Sequence, residues 1–256
     1  MQRSFFEWVV FIVSEYGAWF VRGAGITLLI AIVGTIVGSL IGLIIGAIKS
    51  IPYENHRSNN GFRKFILKIV RGLLNIYIEV FRGTPMMVQS MIIFYGMKQA
   101  FNIDMDPLFA GMVIVSINTG AYMAEIVRGG IESIDQGQVE AAYAIGMTHF
   151  QAMITVILPQ AIRNILPAIG NEFVINIKDT SVLNVISVTE LFFQAKSVQG
   201  IMYRTFETFS VASVVYLVLT YSVTKILRFV EKKMDGPASY TVLASSTMPN
   251  NVRKTK

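Results

Sequence analysis

The sequence has no cysteine, only two histidines, His56 and His149, and seven prolines in 256 residues. Without cysteine there is no disulfide scaffold, no Cys-based zinc site and no thiol nucleophile, and two histidines leave little from which to build a histidine-rich metal centre. Charge is scarce as well, at 15% of the chain against about 25% in soluble domains. With 53% hydrophobic residues and a mean hydropathy of +0.55, the composition argues against an ordinary cytoplasmic enzyme. Long charge-free runs must be buried, and lipid is the simplest host for them.

The charge that is present lies bunched. From Lys49 to Arg71 there are six basic residues against Glu54, and from Lys225 to Lys256 seven against Glu231 and Asp235. These segments hold 13 of the 22 Lys and Arg but only 3 of the 16 acids, so the rest of the chain is net acidic. Positive charge beside apolar runs holds loops on the cytoplasmic side of a membrane, which accounts for the net charge of +6 better than a nucleic-acid-binding face does.

Gly23 to Ile48 is free of charge over 26 residues, about 39 Å of helix and ample for a hydrocarbon core of about 30 Å. Upstream, Glu7 and Glu15 interrupt what a cleaved signal would need to keep apolar. Residues Phe5 to Phe20 instead predict an interfacial helix with Trp8, Tyr16 and Trp19 at headgroup depth. Further spans are predicted over Gly83 to Met97, Pro107 to Ala124, Ile165 to Val188 and Thr208 to Thr224. The second is short and needs Lys98 to snorkel. The fourth carries Glu172, Lys178 and Asp179, so it must face a cavity or a partner subunit.

Five crossings keep both basic segments inside, place the N-terminus and the acidic turn of Asp104 and Asp106 outside, and leave the C-terminus inside. The expected fold class is therefore an all-α integral membrane protein with five transmembrane helices. Its organisation reads as an interfacial segment over 1–22, a transmembrane domain over 23–233 and a cytoplasmic tail over 234–256. The tail holds Pro237 and Pro249 among Ser, Thr and Asn, with no apolar period, and is expected to be disordered.

In the first span Gly34, Gly38, Gly42 and Gly46 recur every fourth residue. They share one helix face and invite close backbone approach, within the chain or between subunits. Between the third and fourth spans, Asp135 through Pro159 reads as two short helices. Asp135 caps the first, Gly146 supplies a left-handed stop, Thr148 and Gln151 form a capping box for the second, and Pro159 ends the run. Glu79 with Arg82, and Glu125 with Arg128, are near enough in sequence to pair on one helical face.

Several motifs carry a resemblance. Glu140-Ala141-Ala142, three residues, Gly146, nine residues and then Val156-Ile157-Leu158-Pro159 is similar to the EAA loop in membrane subunits of binding-protein-dependent ABC importers. Val156 stands where that pattern usually has Ile. Val80-Phe-Arg-Gly-Thr-Pro85 with Gln89, Gly120 through Gly130, and Lys178-Asp-Thr-Ser-Val-Leu183 leading to Glu190-Leu191 resemble the polar amino-acid branch of that family. The resemblance spans roughly residues 20 to 233.

It implies a permease subunit of the bacterial cytoplasmic membrane, paired as a homodimer or heterodimer, with a coupling-helix hairpin that docks on a cytoplasmic ABC ATPase dimer. An extracytoplasmic amino-acid-binding protein would deliver the solute. Glu140, Ala141, Ala142, Gly146 and Thr148 are the expected ATPase-coupling residues, and His149 a contact or solvated residue beside them. No catalytic, metal or cofactor residue is expected on this chain. It has no G-x-x-x-x-G-K-[ST] loop, so ATP and Mg would be bound by the partner subunit. A zwitterionic amino acid needs donors and acceptors, and Asn118, Thr119, Glu172 and Asn176 supply both, which makes them candidates for the substrate pathway or, equally, for interhelical hydrogen bonds. Two rival readings stand beside this one: a secondary transporter driven by an ion gradient, and a membrane scaffold that recruits a cytoplasmic partner.

Overall fold

The computed structural model describes residues 4–50 and 61–234. The tail expected to be disordered lies almost wholly outside the described residues, as does His56. All regular structure among the described residues is helical. Four helical stretches are long and apolar enough to cross a membrane: Phe5–Lys49, Pro107–Glu132, His149–Ile186 and Thr205–Lys233.

The first helix, α1, runs unbroken from Phe5 to Lys49 over 45 residues, about 67 Å and more than twice the hydrocarbon thickness. The segment expected over 1–22 and the span from Gly23 thus lie, from Phe5 onward, on one helix. Nothing there breaks a helix, and a capping box opens it at Phe5, where the interfacial helix was expected, with the Ser4 amide donating to the Glu7 carboxylate at 2.7 Å and the Glu7 amide to the Ser4 hydroxyl. Tertiary packing supports this early part. Ile12 and Phe20 are buried with Leu191, Ala195, Val198, Val211 and Ala212 of two later helices.

Helix α2 (Gly61–Gly83) is followed across Thr84 and Pro85 by α3 (Met86–Phe101). The second predicted span falls on α3, whose 16 residues reach only about 24 Å, less than the hydrocarbon core. One face of α2 exposes Phe62, Phe65, Ile66, Ile69, Leu73, Ile76 and Val80, an amphipathic stripe that no described residue covers.

Helix α4 (Pro107–Glu132) starts where the Asp106 carboxylate accepts from the Phe109 amide, with Pro107 in the first turn. It packs against α1 along a greater length than any other described pair of elements. A Cβ added to Gly34, Gly38, Gly42 or Gly46 would come closer than 3.0 Å to Val115, Thr119, Met123 and Val127 respectively. The ladder of small residues on α1 thus meets a ladder of the same four-residue period on α4, and its partner lies within the chain.

The remaining elements are α5 (Gln136–Ala144), α6 (His149–Ala152), a π-helical turn (Met153–Ile157), α7 (Leu158–Asp179), a 3-10 turn (Thr180–Ile186), α8 (Leu191–Met202) and α9 (Thr205–Met234). Pro159 does not end the helical run as expected. The widened π turn ahead of it leaves Pro159 in the first turn of α7, where a missing amide hydrogen is tolerated.

Candidate functional site: the hairpin and the polar helix contacts

The hairpin between α4 and α7 is built from local signals. The Asp135 carboxylate accepts from the Gly137 amide at 2.7 Å to open α5. At its other end Gly146 has a φ of 86°, a region open to glycine at little cost. The Gly146 amide donates to the Tyr143 carbonyl and the Met147 amide to the Ala142 carbonyl, at 3.0 and 3.1 Å, the paired bonds of a Schellman stop. Thr148 then opens α6 with a capping box to Gln151. Across the reversal, the Tyr143 hydroxyl and His149 Nδ1 are 2.9 Å apart.

Burial divides the hairpin into two faces. Ala142 is turned inward and buried, while Glu140, Ala141, Gly146 and Thr148 are exposed. The inner face rests on a cluster in which Met123, Val127 and Ile131 of α4 meet Met153, Ile157, Ala161 and Ile165, with Val139 packed against it. The outer face presents Ile145 at 75% and Phe150 at 72% exposure. These large apolar groups are exposed beside a satisfied, capped backbone.

The four polar residues expected to line a pathway do not converge. Thr119 of α4 and Asn176 of α7 are buried together with Thr35 of α1, and the Asn176 amide donates to both hydroxyls at 2.9 and 3.0 Å. Their side chains satisfy one another between three helices. Asn118 faces the other way and donates to the Gln89 side-chain oxygen at 2.9 Å. Gln89 Nε2 in turn donates to the Phe81 and Thr84 carbonyls, tying the corner between α2 and α3. Glu172 lies one turn from Asn176 on α7, is 7% exposed, and has no hydrogen-bond partner among the described residues.

One cluster is larger than sequence spacing implied. The Glu125 carboxylate meets Lys49 at 2.8 Å, Arg128 at 3.0 Å and Arg82 at 4.0 Å, which joins the ends of α1, α2 and α4. The i, i+3 pairing with Arg128 was legible in the sequence. Lys49 and Arg82 were not, because only the fold brings them there. The expected Glu79–Arg82 pair does not form. Arg82 instead sits over the Tyr122 ring and beside Glu125. Among the described residues, no group of three or more His, Asp or Glu side chains is placed to hold a metal ion.

Comparison with known proteins places this architecture. The family model described as "Binding-protein-dependent transport system inner membrane component" matches residues 63–236. The chain belongs to this family. Relatives of this permease subunit include the glutamine transport system permease protein GlnP of Escherichia coli K12, 43% identical over 160 residues, which are 62% of this chain and 73% of GlnP. The arginine transport system permease protein ArtQ of Bacillus subtilis is 37% identical over 173 residues, covering 68% of this chain and 77% of ArtQ.

Among solved structures, an amino acid ABC transporter crystallised with histidines superposes with a TM-score of 0.74 at 36% identity, covering 91% of this chain and all of that one. The methionine transporter MetNI, at 19% identity and a TM-score of 0.68, shares the fold. The permease is thus a membrane protein of the amino-acid ABC family, and the hairpin occupies the position of the EAA pattern in its sequence.

Proposed function

We propose that this permease moves a polar amino acid into the cell by alternating access, driven by a separate ATPase subunit that docks on the hairpin. The observation that carries the reading is the two-faced hairpin. Its inner face is packed onto α4 and α7 while its outer face offers Glu140, Ala141, Ile145 and Phe150 to a partner. A push on the outer face is therefore delivered to two membrane helices at once. The chain has no phosphate-binding loop, so ATP and Mg belong to the partner. Alternating access needs solute binding that is strong in one state and weak in the other, and ATP supplies that difference.

In this reading the hairpin and C-terminus face the cytoplasm and the N-terminus lies outside. The broken pair α2–α3 makes the second of five crossings, inside a dimer that covers the apolar stripe of α2. Glu172 of α7, buried and without a hydrogen-bond partner among the described residues, and Asn118 of α4, which reaches the corner between α2 and α3 through Gln89, are the polar groups best placed to meet the solute. Thr119 and Asn176 hold helices together.

The test is to copurify the chain with its ATPase, reconstitute both with the binding protein in proteoliposomes, and screen amino acids for stimulated hydrolysis and uptake. Uptake by the purified chain alone, or uptake that collapses with the ion gradient and ignores loss of ATPase activity, overturns the reading.

A further inference from the structure

A second groove between α7 and α9 shares no lining residue with the apolar groove around Gly170 and Leu227. It is a groove of about 320 Å³ lined by Lys178 of α7 and by Lys225 and Arg228 of α9, with Thr220, Tyr221 and Thr224 between them. Among the described residues no carboxylate lines it. Asp179 adjoins Lys178 in sequence, and Glu231 lines the neighbouring groove instead. Among the described residues, none of the three cations is engaged in an ion pair, and Lys225 sits over the Tyr221 ring at 5.3 Å.

We propose that this groove binds the headgroup of an anionic phospholipid. Depth comes first. Lys225 and Arg228 directly follow the charge-free run from Thr208 to Thr224, which puts them where a spanning helix emerges among headgroups. Lys178 starts deeper, beside Leu217, and a lysine at that depth extends its stem toward the interface and needs an anion there. Basic pockets between spanning helices on the cytoplasmic side have the chemistry that holds an acidic lipid headgroup.

The surrounding surface fits the rest of the lipid. Val214, Leu217 and Val218 of α9 are each more than half exposed and offer an apolar wall for acyl chains. The other occupants suit the groove less well. A two-fold-related copy of the same face would set cations against cations, and a free amino acid would find no carboxylate for its ammonium group.

The test uses the full chain with Tyr221→Trp as a reporter in the groove, read as the difference from the parent chain, whose Trp8 and Trp19 lie in the first third of α1. Brominated phosphatidylglycerol and brominated phosphatidylcholine are titrated into mixed micelles. Phosphatidylglycerol is expected to quench with about tenfold higher apparent affinity. That preference should fall severalfold in Lys178→Gln and vanish in Lys178→Gln/Arg228→Gln, while Lys178→Arg keeps it.

Equal quenching by both lipids overturns the proposal, and so does a preference unchanged in Lys178→Gln. Relief of quenching by millimolar inorganic phosphate or L-glutamate, with no dependence on lipid charge, overturns it in favour of a soluble anion. If the double variant does not purify as a single species, the contrast between Lys178→Gln and Lys178→Arg decides. None of these readouts depends on transport, so they stand apart from the proposed function.

Discussion

The Lys49 ammonium lies 2.8 Å from the Glu125 carboxylate, tying the last turn of the longest helix to the helix that leads into the hairpin. Seventy-six residues separate the two in sequence. Their side chains are 16% and 23% exposed, so water screens the pair only in part, and Arg128 and Arg82 surround the same carboxylate.

Glu125→Gln should therefore lower stability. It removes a partly buried, charge-assisted hydrogen bond and leaves three cations facing an amide, a loss of about 1 to 3 kcal/mol. The midpoint of thermal unfolding of the purified protein should fall, and Lys49→Met should add little on top. Additive losses would mean that the two residues act independently.

The glycine ladder should respond unevenly to alanine. A Cβ on Gly34 meets mainly the side chain of Val115, whereas one on Gly42 meets backbone atoms of Met123 and Ala124 at 2.7 and 2.9 Å. A side chain can yield and a helix backbone cannot. Gly42→Ala is expected to destabilise by about 2 to 3 kcal/mol and Gly34→Ala by about 1 kcal/mol, with Val115→Ala recovering part of the second. Equal thermal shifts in the two variants would contradict the packing described.

At Gly146, valine places a β-branched side chain at a φ of 86°, a strain of about 1 to 2 kcal/mol that the hairpin relieves by reshaping its reversal. Gly146→Val should leave ATP hydrolysis running while uptake falls, and Gly146→Asn, which tolerates left-handed backbone, should restore most of the coupling. An unchanged ratio of hydrolysis to uptake in the valine variant would show that the reversal transmits nothing.

Glu172→Gln keeps the size of the side chain and removes its charge. Uptake in proteoliposomes should drop severalfold while the assembled complex elutes unchanged from size exclusion. Wild-type uptake in this variant would take Glu172 off the solute path.

The local devices were legible in the sequence because they depend on neighbours in the chain. Asp135, Gly146 and the Thr148–Gln151 box cap what their spacing predicts. Where the structure departs from the local pattern, packing or an irregular turn is the reason, as it is for Arg82, which meets Glu125 rather than Glu79. The interfacial helix expected over Phe5 to Phe20 is continuous with the span from Gly23, and its turns bury Ile12 and Phe20 against α8 and α9. Pro159 became part of α7 because a π turn absorbed its missing hydrogen bond. The candidate pathway residues were readable as polar groups at membrane depth, but adjacent residues of α4 point in different directions. Thr119 faces Asn176 and Asn118 faces Gln89.

By itself the sequence determined that this is an all-helical membrane chain, where its hairpin reverses, and that four glycines share a face, since periodicity, caps and missing charge act over a few residues at a time. Only the tertiary structure decided that this face meets α4 within the chain, that Glu125 gathers cations from three helices, and that Lys178 joins Lys225 and Arg228 in one groove. Apart from the Glu125–Arg128 pair, these bring together residues some 43 to 81 positions apart, set by how helices pack and invisible to any local pattern.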